Sequence, residues 1–164
     1  YLLKAINLVK NKRKDFLVKL VGSGEEEKVL KEFVLKNNLE RWVKFIGETR
    51  GEKLIREFKS SHLFALPSLA EGQPITLLEA WAAGLPVVVT KVGSLAYYVK
   101  SQNGYLIPPA DSQKMAETIL KAMENRELQQ MGEDGFLLVK KRYTWSKTAQ
   151  KYFSVYQKVL SLKR

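Results

Sequence analysis

The chain has 164 residues, of which 45% are hydrophobic and 27% are charged, and these are ordinary values for one globular domain. It contains no cysteine, which excludes disulfides and thiolate metal sites, and no apolar run that approaches the roughly 20 residues of a membrane span. The formal net charge is +11, so nucleic acid, an anionic membrane surface and a polyanionic small molecule are the partners to weigh.

Apolar runs alternate with helical patterns along the chain, which predicts βα units and a parallel sheet. The predicted helices are one that begins at residue 2, two at 25–36 and 52–59, one that ends near residue 83, a short one within 92–100, and two at 112–124 and 145–162. The last third of the chain is predicted to be helical throughout. The predicted strands are 16–21, 42–46, 63–66, 86–89 and 105–107. We therefore expect an α/β fold, a Rossmann-like doubly wound parallel sheet, formed by one domain over residues 1–164.

Residues 67–80 read PSLAEGQPITLLEA and set two carboxylates, Glu71 and Glu79, eight positions apart. Glu71 is expected on the loop after a strand, and Glu79 about one turn into the next helix, because Pro74 suits a first helical turn. The N-terminus of such a helix favours an anionic ligand, whereas a nearby carboxylate suits sugar or ribose hydroxyls as their acceptor.

A simpler interpretation of the same two residues is a solvated loop glutamate and a helical glutamate paired with a lysine. The apolar neighbours of Glu79 argue against it, because they predict that this carboxylate is buried and needs a partner. On spacing alone, the pair also resembles an acid/base couple.

A second glycine turn, Gly22-Ser23-Gly24, follows the first predicted strand and opens a helix. Its backbone can approach a phosphate closely. It is not a dinucleotide fingerprint, because Glu27 stands at the third glycine position, and no lysine and hydroxyl pair completes a P-loop. By itself the pattern indicates a tight βα turn.

The 67–80 segment resembles the Glu-x7-Glu signature of retaining, nucleotide-sugar-dependent glycosyltransferases of the GT-B fold, a group that includes glycogen and sucrose synthases. Further blocks follow in the order typical of that family: LVGSG at 20–24, VKFIG at 43–47, AGLPVVV at 83–89, NGYLIP at 103–108 and YTWS at 143–146. The resemblance extends from about residue 2 to residue 156 and so covers nearly the whole chain.

The resemblance implies the carboxy-terminal, donor-binding half of an enzyme that transfers a hexose from a nucleotide-diphosphate sugar. Glu71 would then be the catalytic-site carboxylate beside the transferred sugar, and Glu79 would accept hydrogen bonds from the ribose. The other implied donor contacts are Gly22, Gly24, Gly72, Gln73, Pro74, Ile75 and Thr76. Neither a metal ion nor a cofactor is expected besides the donor substrate, since no Asp-x-Asp or histidine cluster is present.

The chain departs from the family pattern at two places. Gln73-Pro74 stands where Phe-Gly is frequent, and Tyr97 replaces the glutamate of a Gly-Gly-x-x-Glu loop. Members of the family also carry an amino-terminal domain and, upstream of the helix at residue 2, an arginine and lysine pair for the diphosphate. The 164 residues are therefore expected to be a fragment, inactive alone, whose saccharide or lipid-linked acceptor binds through that other domain.

Lysine and arginine cluster at 10–14, 140–142 and 163–164. Solvated helix ends account for them, and no aromatic residues interleave with them as a base-stacking surface needs, so nucleic acid is not expected. We expect a cytoplasmic location, with peripheral contact to an anionic inner membrane face as an option. Two rival functions stay open: a non-catalytic Rossmann-like domain that binds nucleotide or phosphate, and an adaptor for anionic surfaces.

Overall fold

The computed structural model describes residues 1–162, so the basic pair at 163–164 lies outside the described residues. The elements in chain order are α1 (Leu2–Lys12), β1 (Val18–Val21), α2 (Glu27–Lys36), β2 (Val43–Gly47), α3 (Gly51–Lys59), β3 (Phe64–Leu66), α4 (Ile75–Ala82), β4 (Val87–Thr90), α5 (Leu95–Tyr98), β5 (Gly104–Ile107), α6 (Ser112–Glu124), α7 (Leu128–Arg142) and α8 (Trp145–Ser161). Every predicted helix and strand forms, with ends displaced by one or two residues at most.

All strand pairs are parallel, which confirms the predicted α/β class. The strands form two hydrogen-bonded sheets, one with the order β1–β2 and one with the order β3–β4–β5. The single continuous sheet that the pattern predicts is therefore divided, and β1 and β3 are both edge strands. β4 is central in its sheet, and all four of its residues are buried.

Helices cover both faces of the strands and form two apolar cores. On one face α1 contacts α2 and α6, and the core there includes Leu20 of β1, Val88 of β4 and Ile107 of β5. On the other face α4 contacts α7, and this core takes Val87 and Val89 of β4. Successive residues of a strand point to opposite faces, so the valines of β4 alternate between the cores. Because both sheets contribute to the first core, they belong to one folded unit.

Two glycines of α7 fix the position of α4. A Cβ atom at Gly135 would lie 2.2 Å from Cδ1 of Trp81, and one at Gly132 would lie 2.0 Å from the Gly84 carbonyl oxygen. Trp81 is fully buried, and its Nε1 donates to the Asn103 carbonyl oxygen at 3.0 Å. The carboxyl end of α4 is thus packed in the core, and its amino end is directed to the edge of the sheet where the strands end.

We expect Gly135→Ala to lower the free energy of unfolding by about 1–3 kcal/mol, because the added methyl group displaces a buried indole. This loss exceeds the gain of roughly 1 kcal/mol in helix propensity. Urea unfolding followed by circular dichroism measures the difference. Lys140→Ala, an exposed change on the same helix, serves as the control and should alter the value by less than about 0.5 kcal/mol. An unchanged stability of Gly135→Ala would contradict the close contact with Trp81.

Within residues 1–162, no helix combines the length and the apolar character needed to cross a bilayer.

Candidate functional site

The carboxyl ends of β3 and β4 bring two loops into contact. Thr90, the last residue of β4, donates from Oγ1 to the Ser68 carbonyl oxygen at 2.6 Å. The Ser94 hydroxyl donates to the Gly72 carbonyl oxygen. These bonds hold the loop after β3 at two points, one before and one after the predicted site residue between them.

Glu71, the residue between those two points, is oriented through both its side chain and its backbone. Ser68 Oγ donates to Glu71 Oε1 at 2.6 Å, and the residue is half-buried. Gly93, at φ +47°, approaches so closely that a Cβ atom there would lie 1.8 Å from the Glu71 carbonyl oxygen. Glu71 Oε2 accepts no hydrogen bond from the residues that the structure describes, so it can accept one from a ligand hydroxyl.

The amino end of α4 lies at the same edge of the sheet. Pro74 is the N-cap residue, one position before the first helical turn where the sequence places it, and no side chain caps the helix. Ile75 and Thr76 are exposed and the first turn contains no acidic residue. Their free amides and the helix dipole form a site that favours an anion. Gly72 and Gln73 are exposed and border it.

Glu79 lies in the second turn of α4 and is only partly buried, so the prediction of a buried carboxylate is wrong. The reason is that α4 packs its face with Leu77, Ala80 and Trp81 against the core, and Glu79 lies at the border of that buried face. Its carboxylate makes no ion pair or side-chain hydrogen bond within residues 1–162. Because it stays in contact with solvent, it needs no partner, and it is free to accept hydrogen bonds from a ligand.

The Gly22-Ser23-Gly24 turn follows β1. Gly22 has φ +127°, and its N–H donates to the Gly47 carbonyl oxygen at the end of β2 at 2.8 Å. Gly24 has an ordinary backbone conformation and open space around it. α2 begins at Glu27, later than predicted, and its amino end has no side-chain cap. The turn shares the carboxyl edge of the strands with Glu71, but it lies on the other side of the division between the two sheets.

Tyr97 is 71% exposed on the short helix α5. Its ring meets Tyr98 edge-on at 5.3 Å, and Tyr98 in turn meets Tyr143 at 5.4 Å. Burial, and next the neighbouring Tyr98, raises the pKa of Tyr143. This position therefore presents a phenol in place of the carboxylate that the resemblance expects. In the part of the chain that the structure describes, no three His, Cys, Asp or Glu side chains are grouped to hold a metal ion.

Comparison with known proteins shows which protein family this chain is related to. Residues 1–137 match the family model of glycosyl transferases group 1. An uncharacterized glycosyltransferase of Methanocaldococcus jannaschii is 31% identical over 147 residues, which make up 88% of this chain and 41% of that protein. The structure of Anabaena Alr3699/HepE in complex with UDP has a TM-score of 0.87 at 23% identity, over 96% of this chain and 44% of that one. The structure of sucrose-phosphate synthase from Thermosynechococcus elongatus has a TM-score of 0.86 at 22% identity, over 98% of this chain and 43% of that one.

The fold and the site define a Rossmann-like α/β domain that matches GT-B structures and carries an anion-favouring helix end beside two accessible carboxylates. The chain belongs to the glycosyl transferases group 1 family. It spans less than half of the length of the curated relatives that it matches.

Proposed function

We propose that the chain is the donor-binding part of a retaining glycosyltransferase that transfers a hexose from a nucleotide-diphosphate sugar. One observation carries the proposal: a single turn joins the accessible Glu71 carboxylate to the uncapped amino end of α4, with Glu79 one turn further on. Such an edge offers amides to the diphosphate and carboxylates to hydroxyls. The relative Alr3699/HepE has been solved with UDP and with UDP-glucose, which supports this ligand class.

In this proposal each group has one task. The amides of Ile75 and Thr76 bind the diphosphate, Glu79 accepts hydrogen bonds from the ribose, and Glu71 stands beside the transferred sugar. The residues that line the donor are Gly22, Gly24, Gly72, Gln73 and Pro74. Preorganised amides stabilise the negative charge that develops on the departing nucleoside diphosphate without a metal ion.

The exposed apolar surface of α8 supports the proposal that this domain packs against a further domain. α8 buries none of its residues, and Tyr152, Phe153 and Tyr156 are each at least 60% exposed on it. A contiguous apolar surface of this kind is typical of an interface. We propose that an amino-terminal domain covers it and binds the saccharide or lipid-linked acceptor, so the chain alone binds donor without transferring the sugar. A cytoplasmic location, peripheral to the membrane for a lipid-linked acceptor, belongs to the same proposal.

Calorimetric titration with UDP-, GDP- and ADP-sugars tests the donor site. We expect saturable binding of one of them, and at least a tenfold loss of affinity, about 1.4 kcal/mol, in Glu79→Ala, because the ribose loses its acceptor. Glu133→Ala removes the same charge from the exposed face of α7 and should leave the affinity unchanged. Absence of binding by a correctly folded chain would contradict the proposal.

The exposed Tyr97 favours one alternative, a nucleotide- or phosphate-binding domain without catalysis, since a phenol stands where the family pattern has a carboxylate. The two functions differ in the longer protein. A transferase releases nucleoside diphosphate when acceptor is added, whereas a binding domain retains an intact sugar nucleotide.

A further inference from the structure

Two segments of the chain meet at the amino ends of β1 and β2, at the opposite edge of the sheet from the candidate site. α1 and α2 both end there, because the helices of a βα unit run antiparallel to its strands. The first residue of β1 donates its N–H to the Trp42 carbonyl oxygen at 2.8 Å. Lys10 Nζ donates to the Asn37 carbonyl oxygen and so joins the two helix ends. We call this continuous surface, residues 10–17 and 35–42, the amino edge.

Trp42 is the point on which the cations of the amino edge converge. Its ring centroid is 5.2 Å from Lys14 Nζ, and 5.9 Å from both Lys10 Nζ and Arg41 Cζ. Lys14 and Trp42 are 28 positions apart in the sequence, so the fold creates this cluster. None of the three cations forms an ion pair within residues 1–162. Unneutralised cations this close together favour a negatively charged neighbour.

The ends of the helices account for only some of these cations. Lys14 Nζ donates to the Lys10 carbonyl oxygen in the last turn of α1, and a cation commonly stabilises the carboxyl end of a helix in this way. In contrast, Lys12, Lys36 and Arg41 are exposed. Their side chains make neither a hydrogen bond nor an ion pair with the residues that the structure describes. These three charges are therefore available to an external anion.

The acidic residues of the amino edge do not neutralise it. Asp15 accepts hydrogen bonds from Arg13 Nε at 2.8 Å and from Arg13 Nη2 at 2.6 Å, so its charge is already paired. Glu40 is the other carboxylate of these two segments, and it is exposed. The basic residues of the amino edge are Lys10, Lys12, Arg13, Lys14, Lys36 and Arg41. The surface therefore keeps a clear positive charge.

Two exposed leucines give the amino edge an apolar component. Leu17 is 54% exposed and Leu35 is 60% exposed. Leu17 follows Phe16, whose ring stacks on Trp42 at 6.4 Å, and Leu35 lies in the last turn of α2. Apolar side chains among lysines and arginines are typical of surfaces that bind an anionic bilayer, because the apolar groups enter the headgroup region while the cations contact lipid phosphates.

A single-stranded nucleic acid fits this surface less well. It needs an aromatic face on which a base can stack. The Trp42 ring is only partly exposed, and it packs against the core and against Phe16. Its Nε1 donates to the Lys14 carbonyl oxygen at 3.2 Å, which fixes the indole in this position. The cations are thus accessible at the amino edge, whereas the aromatic ring is not free to stack.

We propose that the amino edge binds the surface of an anionic phospholipid bilayer. Lys12, Lys36 and Arg41 contact the lipid phosphates, and the two leucines enter the headgroup region. The bilayer and the donor do not compete, because the four residues of β1 separate the amino edge from the carboxyl edge by about 13 Å. A bilayer on the amino edge leaves the carboxyl edge facing solution, from which a sugar nucleotide enters.

Co-sedimentation of the 164-residue chain with phospholipid vesicles tests the proposal. We expect binding to phosphatidylcholine vesicles that contain about one third phosphatidylglycerol, and none to phosphatidylcholine alone. The triple variant Lys12→Gln, Lys36→Gln and Arg41→Gln should bind at least about 30-fold more weakly, because it removes three charges that contact lipid phosphates. Its titration with sugar nucleotides should be unchanged, so the result is independent of the donor site.

The matched control removes the same charge from the carboxyl end of α7, with Lys140→Gln, Lys141→Gln and Arg142→Gln. It should lower the affinity for anionic vesicles less than about threefold. Equal losses in the two triple variants would assign the binding to net charge and overturn the proposal, as would a folded chain that binds no anionic vesicles.

Two further outcomes identify a different partner or a different surface. Affinity for duplex DNA as high as that for the anionic vesicles at the same salt concentration would make the amino edge a general polyanion site and overturn the proposal. Vesicle binding that survives in the amino-edge variant but is lost in Phe153→Ser would assign the contact to the exposed apolar surface of α8. That result would also overturn it.

Discussion

Gly93→Ala is expected to lower the free energy of unfolding by about 2–4 kcal/mol and the affinity for a nucleotide sugar at least tenfold. The new Cβ would lie 1.8 Å from the Glu71 carbonyl oxygen, and the residue would keep a φ of +47° that alanine adopts poorly. Since the atom in the way is backbone, relief requires movement of the loop that carries Glu71. Urea unfolding and calorimetric titration of the same preparation measure the two effects.

Gly51→Ala is the matched control for Gly93→Ala. Gly51 also has a positive φ, of +57°, but a Cβ atom there meets nothing within 4 Å, and the residue lies outside the proposed site. It should cost about 1 kcal/mol from the backbone conformation alone and leave the affinity unchanged. Equal losses in the two variants would show that the contact between the β4 and β3 loops does not position Glu71.

The elements of the fold follow from local signals in the sequence, and the pairing of its strands does not. Alternation of apolar runs predicts each strand. Asp111 and Thr144, whose residue types favour the N-cap position, cap α6 and α8, and each accepts a hydrogen bond from the backbone N–H three positions further on. Whether a strand is central or at an edge depends on its neighbours in space. The short run of β3 reads like that of β4, so the sequence pattern does not distinguish the edge strand β3 from the central strand β4.

The site was predictable where residues adjoin in the sequence. The motif around Glu71 and the amino end of α4 lie in one segment, and the structure has them side by side. The hydroxyls that hold this loop were missed, because Thr90 and Ser94 are both 22 positions from their acceptors. The equal separation reflects two loops that leave adjacent parallel strands in register, and single hydroxyl residues carry no periodicity that would indicate it. The partial exposure of Glu79 was also missed, because the apolar composition around a residue does not show which face of the helix packs on the core.

In the full-length transferase that we propose, Glu71→Gln is expected to lower kcat for sugar transfer by about 10²–10⁴-fold and to change the donor dissociation constant less than about threefold. The amide keeps the shape of the side chain. It also keeps an oxygen that can accept the hydrogen bond from Ser68 Oγ, which is 2.6 Å long in the unaltered protein. What it removes is the negative charge beside the transferred sugar. Steady-state kinetics with calorimetry of the donor separates these two quantities.

Ser68→Ala refines the same prediction, because it keeps the charge of Glu71 and removes the group that orients it. We expect a smaller loss of kcat, about tenfold, with donor affinity preserved. Glu133→Gln, remote from the site, should behave as the unaltered protein. Near-normal kcat in Glu71→Gln would remove the catalytic role from Glu71 while leaving the Glu79→Ala titration as a separate test of the donor site. A loss of donor affinity as large as the loss of kcat would instead make Glu71 a binding residue. Together, Glu71→Gln and Ser68→Ala thus separate the effect of the charge from the effect of the position of the carboxylate that the two loops hold in place.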